Sequence, residues 1–222
     1  MPYYLRPMRK EDIAQVNEID REAFPTQWPP PDYRRELQNP LARLIVVGDE
    51  GKSVAEPEVK APSEKGFSGL ASMVRRLLNR ERFFGEKASS GNQYILGFAS
   101  IWVMADEAHI TNIAVRKQYQ RQGIGELLLI SVIDLAAELK ADFITLEVRA
   151  SNTTAQRLYQ KYGFTQVGVR TGYYTDNRED ASLMSSESTT SAPFQARFQR
   201  LKQAHARKCE IANKSLREIP AR

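Results

Sequence analysis

The sequence predicts an α/β domain built on a mixed sheet, and three observations carry that prediction. Short apolar runs alternate along the chain with segments of helical apolar spacing. In the middle, residues 112–125 pass from an apolar strand through a glycine-bearing loop into the start of a helix. Near the end, two strand-like runs flank residues 170–179 and are able to pair as a hairpin.

Taken in order, residues 3–7 read as the first strand. Lys10, Glu11 and Asp12 open a helix with Ile13, Val16, Ile19 and Ala23 on one face, and the acidic start suits the helix dipole. The run from Phe24 to Pro31 stops it, because consecutive prolines donate no hydrogen bonds. A second helix follows at about 32–38, then strands at 41–48 and 95–104. Residues 49–93 form an insertion between them. Its first part is rich in Glu, Lys, Pro and Ser and resists packing. Phe67, Leu70, Met73, Val74, Leu77 and Leu78 then recur at helical spacing among arginines, which predicts a short basic amphipathic helix.

Residues 108–115 read as the fourth strand, with His109 near its start as a surface or edge residue. The helix at 124–139 presents Leu127, Leu128, Ile130, Val132, Ile133, Leu135 and Ala136 to a core. Residues 142–148 are the fifth strand. Ser151 and Asn152 are good caps for a helix at 153–162, and Gly163 suits a left-handed C-cap. Strands at 164–169 and 180–184 complete the domain, residues 1–184. Residues 185–192, nearly all Ser, Thr and Glu at their start, read as a linker. The tail, 193–222, reads as a basic helix over about 194–216.

The net charge of +5 over 222 residues is unevenly placed. Residues 193–222 hold eight Lys or Arg against two Glu, a surplus of six, which leaves residues 1–192 about one unit negative. A basic tail on a near-neutral body argues against a broadly cationic nucleic-acid-binding domain. No apolar run approaches the roughly 20 residues of a membrane span. The start lacks a signal-peptide core, and the single Cys209 excludes an internal disulfide. A cytoplasmic protein is expected.

Two glycines, Gly123 and Gly125, sit just before a helix. Backbone N–H groups there can approach an anion closely, and the helix N-terminus adds unpaired N–H groups and positive dipole. A plain strand-to-helix turn would use the same residues. No Gly-Lys-Ser/Thr follows, so this is not a P-loop, and the glycine triplet of a dinucleotide fold is incomplete.

Gln120-x-x-Gly123-x-Gly125 after an apolar strand resembles the acetyl-coenzyme A loop of the GNAT N-acetyltransferases. Downstream, Leu146-Glu147-Val148-Arg149-Ala150-Ser151-Asn152, then Leu158-Tyr159 and Tyr162-Gly163-Phe164, resemble the RimI-type ribosomal-protein-alanine branch. The likeness covers about residues 1–48 and 94–184. It implies the GNAT fold, with splayed central strands holding acetyl-CoA between them. It implies that Ile113, Ala114 and Val115 bind the pantetheine arm through their backbone. Gln120, Arg121, Gln122, Gly123, Ile124, Gly125 and Glu126 would wrap the pyrophosphate, and Asn152 would bond the cofactor arm. Glu126 departs from the family, where a basic or small residue is commoner. A carboxylate there is tolerable if it points away.

By the same resemblance Glu147 is the general base and Tyr159 the general acid. An α-amine, of pKa roughly 8 against about 10.4 for lysine, needs only a modest base. A phenol can protonate a departing thiolate within hydrogen-bond reach. Structural readings stand beside these: Glu147 as a strand-end carboxylate paired with Arg149 or Arg170, and Tyr159 as a packing residue. Phe24, Trp28, Arg170, Tyr173 and Tyr174 match the family's substrate side, Phe24 and Trp28 being equally suited to a hydrophobic plug. Glu179 and Asp180 are candidates to meet a basic peptide. No residue in the domain is a credible covalent nucleophile, and no metal is called for. The resemblance therefore implies direct transfer to a protein N-terminus, the N-terminal alanine of small-subunit ribosomal protein 18. The rivals are a lysine or small-amine acceptor on the same fold, or a ribosome- or RNA-binding module working through the basic tail.

Overall fold

The computed structural model describes residues 3–26, 31–53 and 93–217. Seven strands form one sheet: β1 (Tyr3–Pro7), β2 (Ala42–Ser53), β3 (Gln93–Met104), β4 (Glu107–Val115), β5 (Phe143–Arg149), β6 (Phe164–Tyr174) and β7 (Glu179–Ser186), in the order β1-β2-β3-β4-β5-β7-β6. Among the described residues only the β4–β5 pairing is parallel. The helices are α1 (Ile13–Ala23), α2 (Tyr33–Glu36), α3 (Ile124–Glu138), α4 (Thr153–Lys161) and α5 (Ala192–Arg217). This is the mixed α/β sheet expected. The amphipathic helix read in the insertion lies outside the described residues.

The central strands are apolar on both faces, so both faces must be covered. Val46, Ile95 and Phe98 meet Val16 and Ile19 of α1 and Tyr33 of α2 on one side. Ile45, Val47, Leu96 and Ile101 meet α3 on the other, joined there by Phe194 and Phe198 of α5. Both phenylalanines are almost wholly buried, and each such side chain contributes roughly 1.5–3 kcal/mol.

One feature of β4 decides where the cleft lies. Its ladder with β3 steps from Ser100↔Asn112 to Ile101↔Ile110, leaving Thr111 as an extra residue. Such a bulge bends and twists its strand. The parallel pairing with β5 runs only from Glu107↔Phe143 to Ile110↔Leu146 and ends beside that bulge. From Thr111 to Val115 the edge of β4 toward β5 has no strand partner among the described residues.

Three boundaries differ from the sequence reading. β2 runs to Ser53 and pairs with Gln93, so the two strands continue as a ribbon into the insertion. β6 extends to Tyr174, with irregularities at 166–168 and 170–174 that keep it on β7. Arg170, Tyr173 and Tyr174 are therefore strand residues. The Ser/Thr stretch read as a linker is packed. Thr189 is fully buried; its N–H donates to Asp142 O at 2.7 Å and its hydroxyl to Ala141 O at 2.6 Å. Thr190 and Ser188 donate to the Asp142 carboxylate at 2.8 and 3.2 Å. Hydroxyls that satisfy a backbone can be buried without penalty, which composition alone does not show. Helix α5 docks by its apolar face and leaves Arg200, Arg207 and Lys208 exposed. Among the described residues no helix is long and apolar enough to cross a membrane.

Candidate active site

A cavity of about 660 Å³ opens where β4 and β5 part. Thr111–Ile113 and Leu146–Arg149 form its two strand walls. Phe24, Thr26, Tyr33 and Glu36 come from the α1–α2 side, Trp102 from β3, Asn152 and Tyr159 from the α4 side, and Tyr173–Asp176 from the end of β6.

Alternation places the polar side chains. In β5, Ile144, Leu146 and Val148 go to the core, so Thr145, Glu147 and Arg149 share the other face. In β4, Ala108 and Ile110 are buried, so Glu107 and His109 stand opposite them. The register sets His109 beside Thr145, and Glu147 lies two residues further along the same face.

Glu147 is 7% exposed and held from two sides. Its Oε1 is 2.9 Å from Arg170 Nη2, and its Oε2 is 3.1 Å from His109 Nε2. His109 Nδ1 is 2.8 Å from Thr145 Oγ1, and the Thr145 hydroxyl donates to Glu107. A threonine has one hydroxyl proton. With that proton on Glu107, Thr145 accepts from His109 Nδ1–H. His109 Nε2 and Glu147 Oε2 stand within hydrogen-bond distance, so a proton delivered to either would be shared with the other. The site therefore holds a carboxylate and an imidazole side by side, with the Arg170 guanidinium balancing the carboxylate. His109 was not identified as a site residue in the sequence. The coincidence of two polar strand faces was the available signal, but it needs the β4–β5 register to be seen.

Arg149 does not pair with Glu147. It binds Asp176 at 2.9 Å and Glu179 at 3.1 Å, and its guanidinium lies 3.9 Å from the Tyr174 ring centre. Glu179 also accepts from Ser151 N–H at 2.7 Å, and these contacts hold its carboxyl down at about 2. Asp180 accepts from Gly172 N–H at 2.8 Å. The two acids thought able to meet a basic peptide are thus committed to the fold, and Glu36 is the α2 carboxylate on the cavity wall, bonded to Trp102 Nε1 at 2.8 Å.

Tyr159 lines the cavity, its ring 5.8 Å from that of Phe164. Burial and then the neighbouring Tyr174 push its phenol well above its ordinary pKa, so it holds its proton. Tyr173 and Tyr174 meet edge to face at 5.2 Å, and burial pushes Tyr174 up to about 12. Asn152 caps α4 by accepting from Ala155 N–H at 3.1 Å, and its amide borders the cavity. Phe24 lines the same cavity; Trp28 lies outside the described residues.

Beyond the end of β4, Gln120, Arg121 and Gln122 are exposed and lead into α3. Gln120 Nε2 donates to Val115 O at 3.3 Å. Arg121 and Gly123 both have positive φ, +64° and +84°. Glycine takes that conformation readily, and a non-glycine residue there marks a backbone held by its surroundings. The side chains of Ala114 and Ile124 are in the core, so only their backbone is available to a ligand. Glu126, the residue that departs from the family, turns toward α4: its carboxylate accepts from Tyr162 Oη at 2.7 Å and from Lys161. Burial opposes its ionisation, but these bonds outweigh burial and hold the carboxyl below its ordinary value. Its negative charge is paired with Lys161 and directed toward α4 rather than toward the loop. An exposed loop, a helix N-terminus and an unpaired strand edge leading to the cavity fit an extended, phosphate-bearing thioester. Among the described residues no cluster of three His, Cys, Asp or Glu could hold a metal.

Fold and sequence together define the class: the chain belongs to the acetyltransferase (GNAT) family, whose pattern matches residues 13–164. Members transfer acetyl from acetyl-CoA to an amine. Among relatives, a Bacillus subtilis (strain 168) protein provisionally named a ribosomal protein bS18-alanine N-acetyltransferase is 33% identical over 181 residues, 81% of this chain and 92% of that protein. An N-alpha-acetyltransferase of Sulfurisphaera tokodaii is 31% identical over 82% of this chain and 91% of its own. The crystal structure of the ribosomal-protein-S18-alanine N-acetyltransferase from Escherichia coli superposes with a TM-score of 0.62 at 25% identity, covering 86% of this chain and 97% of that one.

Proposed function

We propose that this acetyltransferase acts on a protein N-terminal α-amine, the N-terminal alanine of ribosomal protein bS18. The near full-length likeness to two N-terminal acetyltransferases supports the class of acceptor, and the name of one supports the protein. The observation that carries the chemistry is the Glu147–His109 pair at the mouth of the strand gap.

In this reading acetyl-CoA lies along the open edge of β4. The backbone of Ile113, Ala114 and Val115 aligns its pantetheine arm, Asn152 adds a side-chain bond, and residues 120–125 hold the pyrophosphate. The acceptor enters past Phe24, Tyr173 and Tyr174. Its ammonium gives one proton to the Glu147–His109 pair, and Arg170 keeps the carboxylate in place. The neutral nitrogen attacks the thioester carbon. As the carbon–nitrogen bond forms and the carbon–sulfur bond breaks, the Tyr159 phenol protonates the sulfur, and the second proton lost from the nitrogen passes through solvent to restore the phenol. Holding both reactants together supplies much of the acceleration. A ribosome contact through Arg200, Arg207 and Lys208 would be a separate, salt-sensitive contribution.

The test measures thiol release from acetyl-CoA with peptides beginning Ala-Arg, beside the same peptides blocked at the α-amine. Turnover confined to the free α-amine, and lost in Glu147→Gln, is expected. Turnover on blocked peptides bearing lysine, or on small amines alone, would overturn the reading.

A further inference from the structure

We propose that His205 is a positioning residue for the acetyl-CoA loop, and that α5 is the brace through which it acts. The inference rests on the reading of residues 120–125 as that loop.

Helix α5 crosses the α3 face of the domain in regular steps. Phe194 and Phe198 stack at 6.2 Å and sit in the core, and Phe198 meets Tyr162 at 6.4 Å. One turn on, Lys202 Nζ reaches Asp134 Oδ2 of α3 at 2.5 Å. Another near-turn brings His205, only 7% exposed, over the start of α3, with its Nε2 3.1 Å from the carbonyl oxygen of Gly123. Residues three or four apart share a helix face, so one stripe carries the anchors and the histidine.

A carbonyl only accepts, so Nε2 carries the hydrogen. Gly123 O also accepts from Leu127 N–H at 2.9 Å. Two donors on one carbonyl fix the orientation of its peptide plane. In a trans peptide the N–H points opposite to the C=O. Holding the Gly123 carbonyl toward α5 therefore turns the Ile124 N–H the other way, to the side where the helix N-terminus meets an anion. The contact is close-packed: a Cβ on Gly123 would stand 3.2 Å from His205 Nε2. Gly123 is thus confined both by its φ of +84° and by the imidazole above it. His205 reaches neither the cavity nor any candidate reacting group, so its effect is on binding the donor rather than on transfer.

The test uses the full chain. Calorimetry first establishes coenzyme A binding by the wild type; no binding there overturns the loop reading itself. Given binding, His205→Ala and His205→Phe, the second filling the volume without a donor, are compared with His205→Gln, which keeps an N–H. Loss of one hydrogen bond predicts a rise of roughly three- to tenfold in KM for acetyl-CoA. The acceptor KM and kcat are expected within twofold of wild type, and His205→Gln is expected to restore most of the loss. Folding is checked by thermal melts, so that a folded donorless variant is available from the Ala and Phe pair. A folded donorless variant with wild-type KM for acetyl-CoA would overturn the proposal. So would equal losses on both substrates, or a His205→Gln variant no better than His205→Phe.

Discussion

If Glu147 and His109 accept the amine proton as a pair, removing both should cost little more than removing the more important one. Glu147→Gln keeps the shape of the side chain and removes its charge, and loss of general-base action is expected to lower kcat/KM by roughly 10²–10⁴-fold. His109→Ala leaves Glu147 on Arg170 at 2.9 Å but removes the second contact, at 3.1 Å. A hydrogen bond to a charged group is worth roughly 1.5–3 kcal/mol, and about 1.4 kcal/mol is tenfold, so the single loss is on the order of 10- to 150-fold. Independent residues would multiply, placing the double variant 10³-fold or more below wild type at the least. A pair acting as one unit would leave it near Glu147→Gln alone. The assay is kcat/KM for an Ala-Arg peptide under saturating acetyl-CoA, with all four proteins in one buffer. Strict multiplication of the two losses, or an unchanged His109→Ala enzyme, would refute the shared-proton argument.

Three further outcomes are expected. Tyr159→Phe keeps the ring beside Phe164 and should lower kcat by about 10²–10⁴-fold with KM values little changed, read by steady-state kinetics. Glu126 has a folded pKa below its unfolded value of roughly 4.3, so its contribution to stability is present above that value and lost as pH falls through the folded pKa. Urea titrations of wild type and Glu126→Gln should therefore differ at pH 7, begin to approach each other below about pH 4.3, and converge only below the folded value. Thr189→Val keeps the volume but strands the Ala141 carbonyl in the interior, and should cost about 1–3 kcal/mol in the same titration.

The parts of the molecule legible in the sequence are those fixed by local pattern. The glycine loop, the apolar stripe of α3 and the Asn152 cap each declare themselves within a few residues, and each stands where the spacing put it. His109 does not declare itself, because its partners Thr145 and Glu147 come from another strand and depend on a parallel register. The Ser/Thr connection was opaque for a related reason. Thr189 is buried because the backbone of Ala141 and Asp142 needs its groups, which no count of hydroxyl residues conveys. Residues 170–174 read as a loop around Gly172, whose φ is +61°, yet the strand continues on β7 through an irregularity.

The extra residue in β4 has a consequence for how this enzyme could be unmade. Before Thr111 the strand turns Ala108 and Ile110 toward the α3 side; after it, Ile113 and Val115 pack there instead. One inserted residue thus shifts the phase of the strand as it parts it from β5. Deleting Thr111 would restore an unbroken alternation and remove the bend that keeps the two strands apart. Ordinary alternation would then carry Ala108, Ile110, Ile113 and Val115 to the one face they already share, so the core would survive the deletion. The sheet could become more regular by losing its cleft, so that a mended ladder and a working enzyme would be alternatives separated by a single codon.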